Sequence, residues 1–116
     1  MTRRTERIQD LLRAEISDLL RREVQDPRIG LTTVTDVDVS PDLSHAVIRV
    51  SVLGDDLQRE DAMVGLRHAK GFIRTQLAKR LRTRVVPDLV FELDRGAEHS
   101  QRITELLEGL HDEPGS

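Results

Sequence analysis

Between Ala62 and Pro87 the chain reads AMVGLRHAKGFIRTQLAKRLRTRVVP, with Arg67, Lys70, Arg74, Lys79, Arg80, Arg82 and Arg84 and no Asp or Glu. Threaded through these cations, Ala62, Leu66, Ala69, Ile73, Leu77 and Leu81 recur every three or four residues, the spacing that lines one face of a helix. The stretch must therefore lay an apolar stripe on a core and turn a cationic surface outward. Gly71 sits inside the stripe, where it costs about 1 kcal/mol relative to Ala. It predicts a bend between two helices at Ala69, Lys70 and Gly71, because glycine permits backbone conformations and close approaches that a Cβ forbids.

The flanking patterns supply the rest of the fold. Ile8, Leu11, Leu12, Ile16, Leu19, Leu20 and Val24 predict a helix from Thr5 to Val24, with Thr5 as N-cap and Asp18 four residues before Arg22; Pro27 and Gly30 stop it. From Leu31 to Val39 the pattern changes to alternation, with Val37 and Val39 opposite Asp36 and Asp38. After a turn at Ser40, Pro41 and Asp42, the residues Ala46, Ile48, Val50 and Val52 predict a second strand returning antiparallel. That strand is apolar on both faces and is expected at the centre. Asp55 with Gln58 resembles a capping box opening the next helix. Leu89, Phe91 and Leu93 form a third strand, and a strand, helical crossover and strand make parallel neighbours. Ser100, Ile103, Leu106, Leu107 and Leu110 then suggest a short C-terminal helix before the tail HDEPGS.

The order is thus α-β-β-α-α-β plus a short C-terminal helix. This is an α+β fold with a three-stranded mixed sheet and helices packed on one face. Residues 1–4 are expected to be a flexible basic start, 5–96 one domain, and 97–116 a helix with a frayed acidic tail. At 116 residues there is material for a single core. The absence of Cys removes disulfides, thiolate catalysis and Cys-ligated zinc together. No segment reads as a signal peptide or a bilayer span, so a soluble, cytoplasmic monomer is expected.

A formal net charge of -3 conceals a bipolar distribution. Asp36, Asp38, Asp42, Asp55, Asp56, Glu60 and Asp61 precede the basic stretch, and Asp88, Glu92, Asp94, Glu98, Glu105, Glu108, Asp112 and Glu113 follow it. Enzyme signatures are missing. His45, His68, His99 and His111 never fall at metal-pair spacing, and no nucleophile elbow, phosphate loop or dinucleotide fingerprint occurs, so no catalytic residue, metal or cofactor is predicted. Solvated helix faces ordinarily mix signs, as the first helix does. The unmixed cations of Arg67, Lys70, Arg74, Lys79, Arg80, Arg82 and Arg84 point instead to a polyanion, with Arg forks suited to phosphates. An acidic protein docked on the basic helices satisfies the same charge pattern. Phe72 and Phe91 are the only aromatic residues, which supplies base stacking poorly.

Several separated motifs narrow this reading. VQDPRIG (Val24 to Gly30), VSPDLSHAVIRVSV (Val39 to Val52), AKGFIR (Ala69 to Arg74) and LRTRVVPDLVFELD (Leu81 to Asp94), taken in order, resemble the ribosome-binding factor A family, within the wider set of type II KH domains. The resemblance covers roughly Arg7 to Asp94. It implies a non-catalytic assembly factor that binds the immature 30S small ribosomal subunit and promotes late maturation of its 16S rRNA. It also implies departure before translation and a role that matters most in the cold. Nucleic-acid-binding KH domains carry GxxG between their helices, whereas Ala69, Lys70 and Gly71 give only Ala-x-Gly, so the single-strand grip of GxxG does not carry over. With RNA as the polyanion, Arg67, Lys70, Gly71, Arg74, Lys79, Arg80, Arg82 and Arg84 are the expected contacts.

Overall fold

Alternation decides the sheet. In the computed structural model, which describes residues 3–81 and 86–94, the elements run α1 (Arg3–Arg22), β1 (Thr32–Val39), β2 (His45–Val52), α2 (Asp56–Leu81) and β3 (Asp88–Leu93). Strand β1 pairs antiparallel with β2, from Val39 opposite Ala46 to Thr32 opposite Val52, and β2 pairs parallel with β3, from His45 opposite Asp88 to Val50 opposite Leu93. The order β1-β2-β3 puts β2 in the centre, as its apolar content predicts. Val34, Val37, Val39, Ala46, Ile48, Val50, Val52, Leu89 and Phe91 turn to the covered face and are buried. Asp36, Asp38, Val90 and Glu92 turn to the open face, where Arg49 reaches Asp36 at 3.2 Å. The register slips once, between Val34 and Asp36. Thr35 occupies the slip, and its Oγ1 donates to Asp94 Oδ2 at 2.7 Å, tying β1 to the residue that follows β3.

Both helices lie on the covered face. On α1, Thr5, Leu12, Ile16, Leu19 and Leu20 are buried. The helix starts at Arg3, two residues before the expected cap, so Arg3 and Arg4 are helical. Thr5 falls seven residues before Leu12 on the inward row, and that placement buries it inside the first turn instead of leaving it to cap. The start of α2 follows its sequence signature. Asp55 N donates to Gln58 Oε1 and Gln58 N donates to Asp55 Oδ1, each at 2.8 Å, which closes the capping box. Gly54 makes that closure possible with φ at +133°, and a Cβ there would collide with the Gln58 side chain.

The two helices expected on either side of Gly71 are one unbroken helix, Asp56–Leu81. Ala62, Leu66, Ile73 and Leu77 keep one row across the glycine, so both halves bury the same stripe and nothing demands a break. Each of Leu66, Ile73 and Leu77 is fully buried, a gain of about 1.5–3 kcal/mol apiece that outweighs the glycine's cost of about 1 kcal/mol. Thr75 Oγ1 donates to Gly71 O at 3.0 Å and supports the carbonyl from within the helix. A Cβ at Gly71 would meet nothing within 4 Å. The close approach belongs to Gly65 instead, where a Cβ would stand 3.0 Å from Ile29 Cγ1 and 3.3 Å from Asp26 Oδ2. The loop after α1 is braced for this contact. Asp26 accepts from Arg28 N at 2.9 Å and from Arg28 Nη2 at 2.7 Å, and these bonds hold its carboxyl down at about 2.

The two glycines should respond oppositely to the same change. Gly71→Ala is expected to raise unfolding free energy by about 1 kcal/mol, and Gly54→Ala to lower it by about 1–3 kcal/mol through backbone strain and loss of the cap. Urea titrations of both variants check the signs.

Candidate nucleic-acid interface

A helix repeats its faces every three or four residues, so cations adjacent in sequence do not share a surface. Arg67, Lys70 and Arg74, three and four apart, run along the flank of α2 that borders β3. Lys70 Nζ lies 3.2 Å from Asp88 Oδ1, and Arg74 Nη2 donates to Val86 O at 3.3 Å. Arg67 lines an open cleft of about 600 Å³ with Phe91, Glu92 and Leu93. The hydrogen bond from Lys70 holds the Asp88 carboxyl below its ordinary range against the opposing effect of burial, with the charges of Lys70, Arg74 and His45 adding. Arg67 and Arg74 remain exposed, whereas Lys70 is half-buried beside Ala69. Lys79, five residues beyond Arg74, is exposed on the other flank.

Arg80 does not belong to this surface. It follows Leu77 by three residues, so its stem continues the inward stripe and its guanidinium meets α1. There it donates to Asp18 Oδ2 at 2.8 Å, Glu15 Oε2 at 3.0 Å and Glu23 Oε1 at 3.1 Å, with its side chain 24% exposed. Bonds to Asp18 and Glu15 raise the already high affinity of Arg80 for its proton, and Arg80 in turn lowers the Asp18 carboxyl. Sequence reasoning places Arg80 among the RNA contacts; the structure occupies all of its visible bonding with carboxylates of the same chain. Arg82 and Arg84, like the predicted C-terminal helix, lie outside the described residues.

The two phenylalanines have different settings. Phe91 is 7% exposed and belongs to the core, but Phe72 is 43% exposed in the middle of the cationic helix. The only sequence signal for this is its position outside the row of Leu66, Ile73 and Leu77.

The sequence profile of the ribosome-binding factor A family matches residues 4–107. The chain belongs to the ribosome-binding factor A family. Ribosome-binding factor A of Natranaerobius thermophilus is 47% identical over 93% of this chain and 82% of its own length. That of Halothermothrix orenii is 46% identical over 97% of this chain and 93% of its own. Among solved structures, the crystal structure of ribosome-binding factor A from Thermus thermophilus superposes with a TM-score of 0.70 at 27% identity, covering 79% of this chain and 98% of that one. A homology model of the Thermus thermophilus factor, fitted into the cryo-electron microscopy map of its complex with 30S, matches with a TM-score of 0.57 at 33% identity over 72% of this chain and 92% of its own. The α+β fold and mixed three-stranded sheet expected from sequence are therefore those of ribosome-binding factor A.

The contrast between Arg80 and its neighbours is measurable. Arg80→Met keeps the apolar stem but leaves the carboxylates of Glu15, Asp18 and Glu23 without their shared cation, so the melting temperature should fall at neutral pH. Asp18 is depressed in the folded protein, and its stabilisation is present above the unfolded value of about 3.9 and lost as pH falls below it. The gap in melting temperature between wild type and variant should accordingly narrow below about pH 4. Binding to inorganic polyphosphate should stay unchanged.

Proposed function

We propose that this chain binds the immature 30S small ribosomal subunit, promotes late maturation of its 16S rRNA without catalysing a reaction, and leaves before translation. Its place of action is the cytoplasm, and its contribution is greatest in the cold. Family membership supports the reading, as does the Thermus thermophilus relative fitted into a map of a complex with 30S. The observation that carries it in this chain is the outer surface of α2, where Arg67 and Arg74 stand exposed and no anion occurs from Ala62 to Leu81. On that surface Arg67 and Arg74 contact phosphates by their forks, Lys70 adds a point charge beside them, and Lys79 extends the contact. Arg82 and Arg84 continue the same polarity beyond α2. Asp36 and Asp38 lie on the open face of the sheet, across the helix layer from these groups. This arrangement is a KH-like RNA-binding layout in which the helix, not a GxxG loop, meets the nucleic acid.

Reversing the two exposed arginines, Arg67→Glu with Arg74→Glu, should abolish co-sedimentation with immature small subunits while circular dichroism and melting stay as in wild type. Wild-type binding should weaken steeply with salt, at roughly 0.7 to 0.9 in logarithmic slope per neutralised phosphate. Co-sedimentation retained by the folded double variant defeats the proposal.

A further inference from the structure

The cations on the β3 flank of α2 differ in what already holds them. Arg67 stands exposed, and Arg74 gives one N–H of its fork to Val86 O, a neutral carbonyl. Lys70 is held by an anion. Its Nζ lies 3.2 Å from Asp88 Oδ1, with the two side chains 35% and 45% exposed, so the pair is partly sheltered from water and from salt. Asp88 is also fixed in place. Its backbone N donates to Ser44 O at 2.9 Å, and it stands opposite His45 in the parallel pairing of β2 with β3, so the sheet presents its carboxylate where α2 passes. The hydrogen bond from Lys70 is the largest cause of the lowered proton affinity of that carboxyl, and the charges of Arg74 and His45 act in the same direction. At neutral pH the flank therefore carries its own anion beside the cations proposed to meet RNA.

From this contact we infer that Asp88 is the residue that sets the affinity of the flank: its carboxylate holds the place of an RNA phosphate on Lys70, and RNA binds there by displacing it. The inference rests on the function proposed above and deepens it, because it names a residue that opposes the contact. Asp88 acts through Lys70 and is a positioning residue, not a contact to RNA. An ammonium is a compact point charge without the fork that lets a guanidinium hold two oxygens at once, so carboxylate and phosphate compete for it. When a phosphate arrives, one anion replaces another and the local charge balance changes little. The displaced carboxylate is then left unpaired beside the RNA backbone, which repels it. Counterion release from this contact is correspondingly small, since the freed carboxylate draws cations from solution as the phosphate gives up its own. Arg67 and Arg74, which no carboxylate bonds among the described residues, bring their full charge to the contact. The flank thus grips RNA less tightly than its count of cations implies. On departure, Asp88 takes Lys70 back, which suits a factor that leaves the RNA it has bound.

Asp88→Asn removes the charge while keeping the shape and the backbone bond to Ser44, and Asp88→Ser gives a second neutral variant. A partly exposed pair contributes little to stability, so both should melt close to wild type. Affinity for protein-free 16S rRNA is measured across a salt series for wild type, Asp88→Asn, Lys70→Met and the double variant. Asp38→Asn, which removes an anion from the open face of the sheet, controls for net charge. Displacement predicts that Asp88→Asn binds roughly three- to tenfold tighter at low salt, with a logarithmic salt slope steeper by up to roughly 0.7 to 0.9, the share of one phosphate. Lys70→Met should lose little by itself and should erase the gain in the double variant, because the two residues act as one unit. Asp38→Asn should match wild type. A gain that survives Lys70→Met, or that Asp38→Asn equals, overturns the inference and assigns Asp88 to general repulsion. Unchanged or weaker binding by both Asp88 variants, with salt-dependent binding by wild type, also overturns it and leaves the proposed function standing. Absence of salt-dependent rRNA binding by wild type overturns both.

Discussion

Besides its apolar stripe, helix α2 is anchored towards each end by a contact to α1 or the loop after it, and the direction of the cations on it follows from that anchoring. Near its N-terminal half, Gly65 admits the loop braced by Asp26 and Arg28, which brings Ile29 to the helix backbone. Near its C-terminal end, Arg80 is gripped by Glu15 and Asp18 of α1 and by Glu23 just after it. Exposed ion pairs taken singly contribute little, but one guanidinium shared by three carboxylates is a network, and its fork geometry constrains rotation as well as distance. With both ends fixed, the face carrying Arg67 and Arg74 has one orientation open to it.

The same constraints separate cations by duty. Arg80 serves the fold, and Lys70 and Arg74 each make one contact to the segment around β3, at Asp88 and Val86. Such contacts pre-order the long side chains on the flank and reduce the rotamer freedom that an RNA partner would otherwise have to freeze. A polar layer is thereby built on an apolar one: the stripe of Leu66, Ile73 and Leu77 points into the core, while Arg67 and Arg74 stand exposed away from it. Asp36 and Asp38 lie across the molecule on the open face of the sheet, whereas Asp88 and Glu92 of β3 stay beside the cations of α2.

Much of this was legible in the residues. The hairpin, the central place of β2 and the parallel docking of β3 follow from period-two alternation and a helical crossover, and the capping box at Asp55 and Gln58 is local enough to read directly. What escaped reading depends on contacts distant in the chain. Arg80 lies 57 to 65 residues from its three carboxylates, so its charge looked like that of Arg74 until the helices were packed. Glycine misled for a related reason. Gly71 interrupts a pattern and attracts notice, whereas Gly65 sits quietly in a helical run and its need for space is set by Asp26, Arg28 and Ile29, far back in the chain. Thr5 has the chemistry of a cap but the position of a core residue, and burial prevailed.

The central claim is that the outer surface of α2 carrying Arg67 and Arg74 meets ribosomal RNA. Ultraviolet crosslinking of the protein to immature small subunits, followed by mass-spectrometric mapping of nucleotide adducts, tests it most directly. The account predicts adducts concentrated on peptides spanning residues 67–84, with those carrying Arg67 and Arg74 among them. Adducts confined to the open face of the sheet, around Asp36, Arg49 and Glu92, with α2 unmodified, would contradict it.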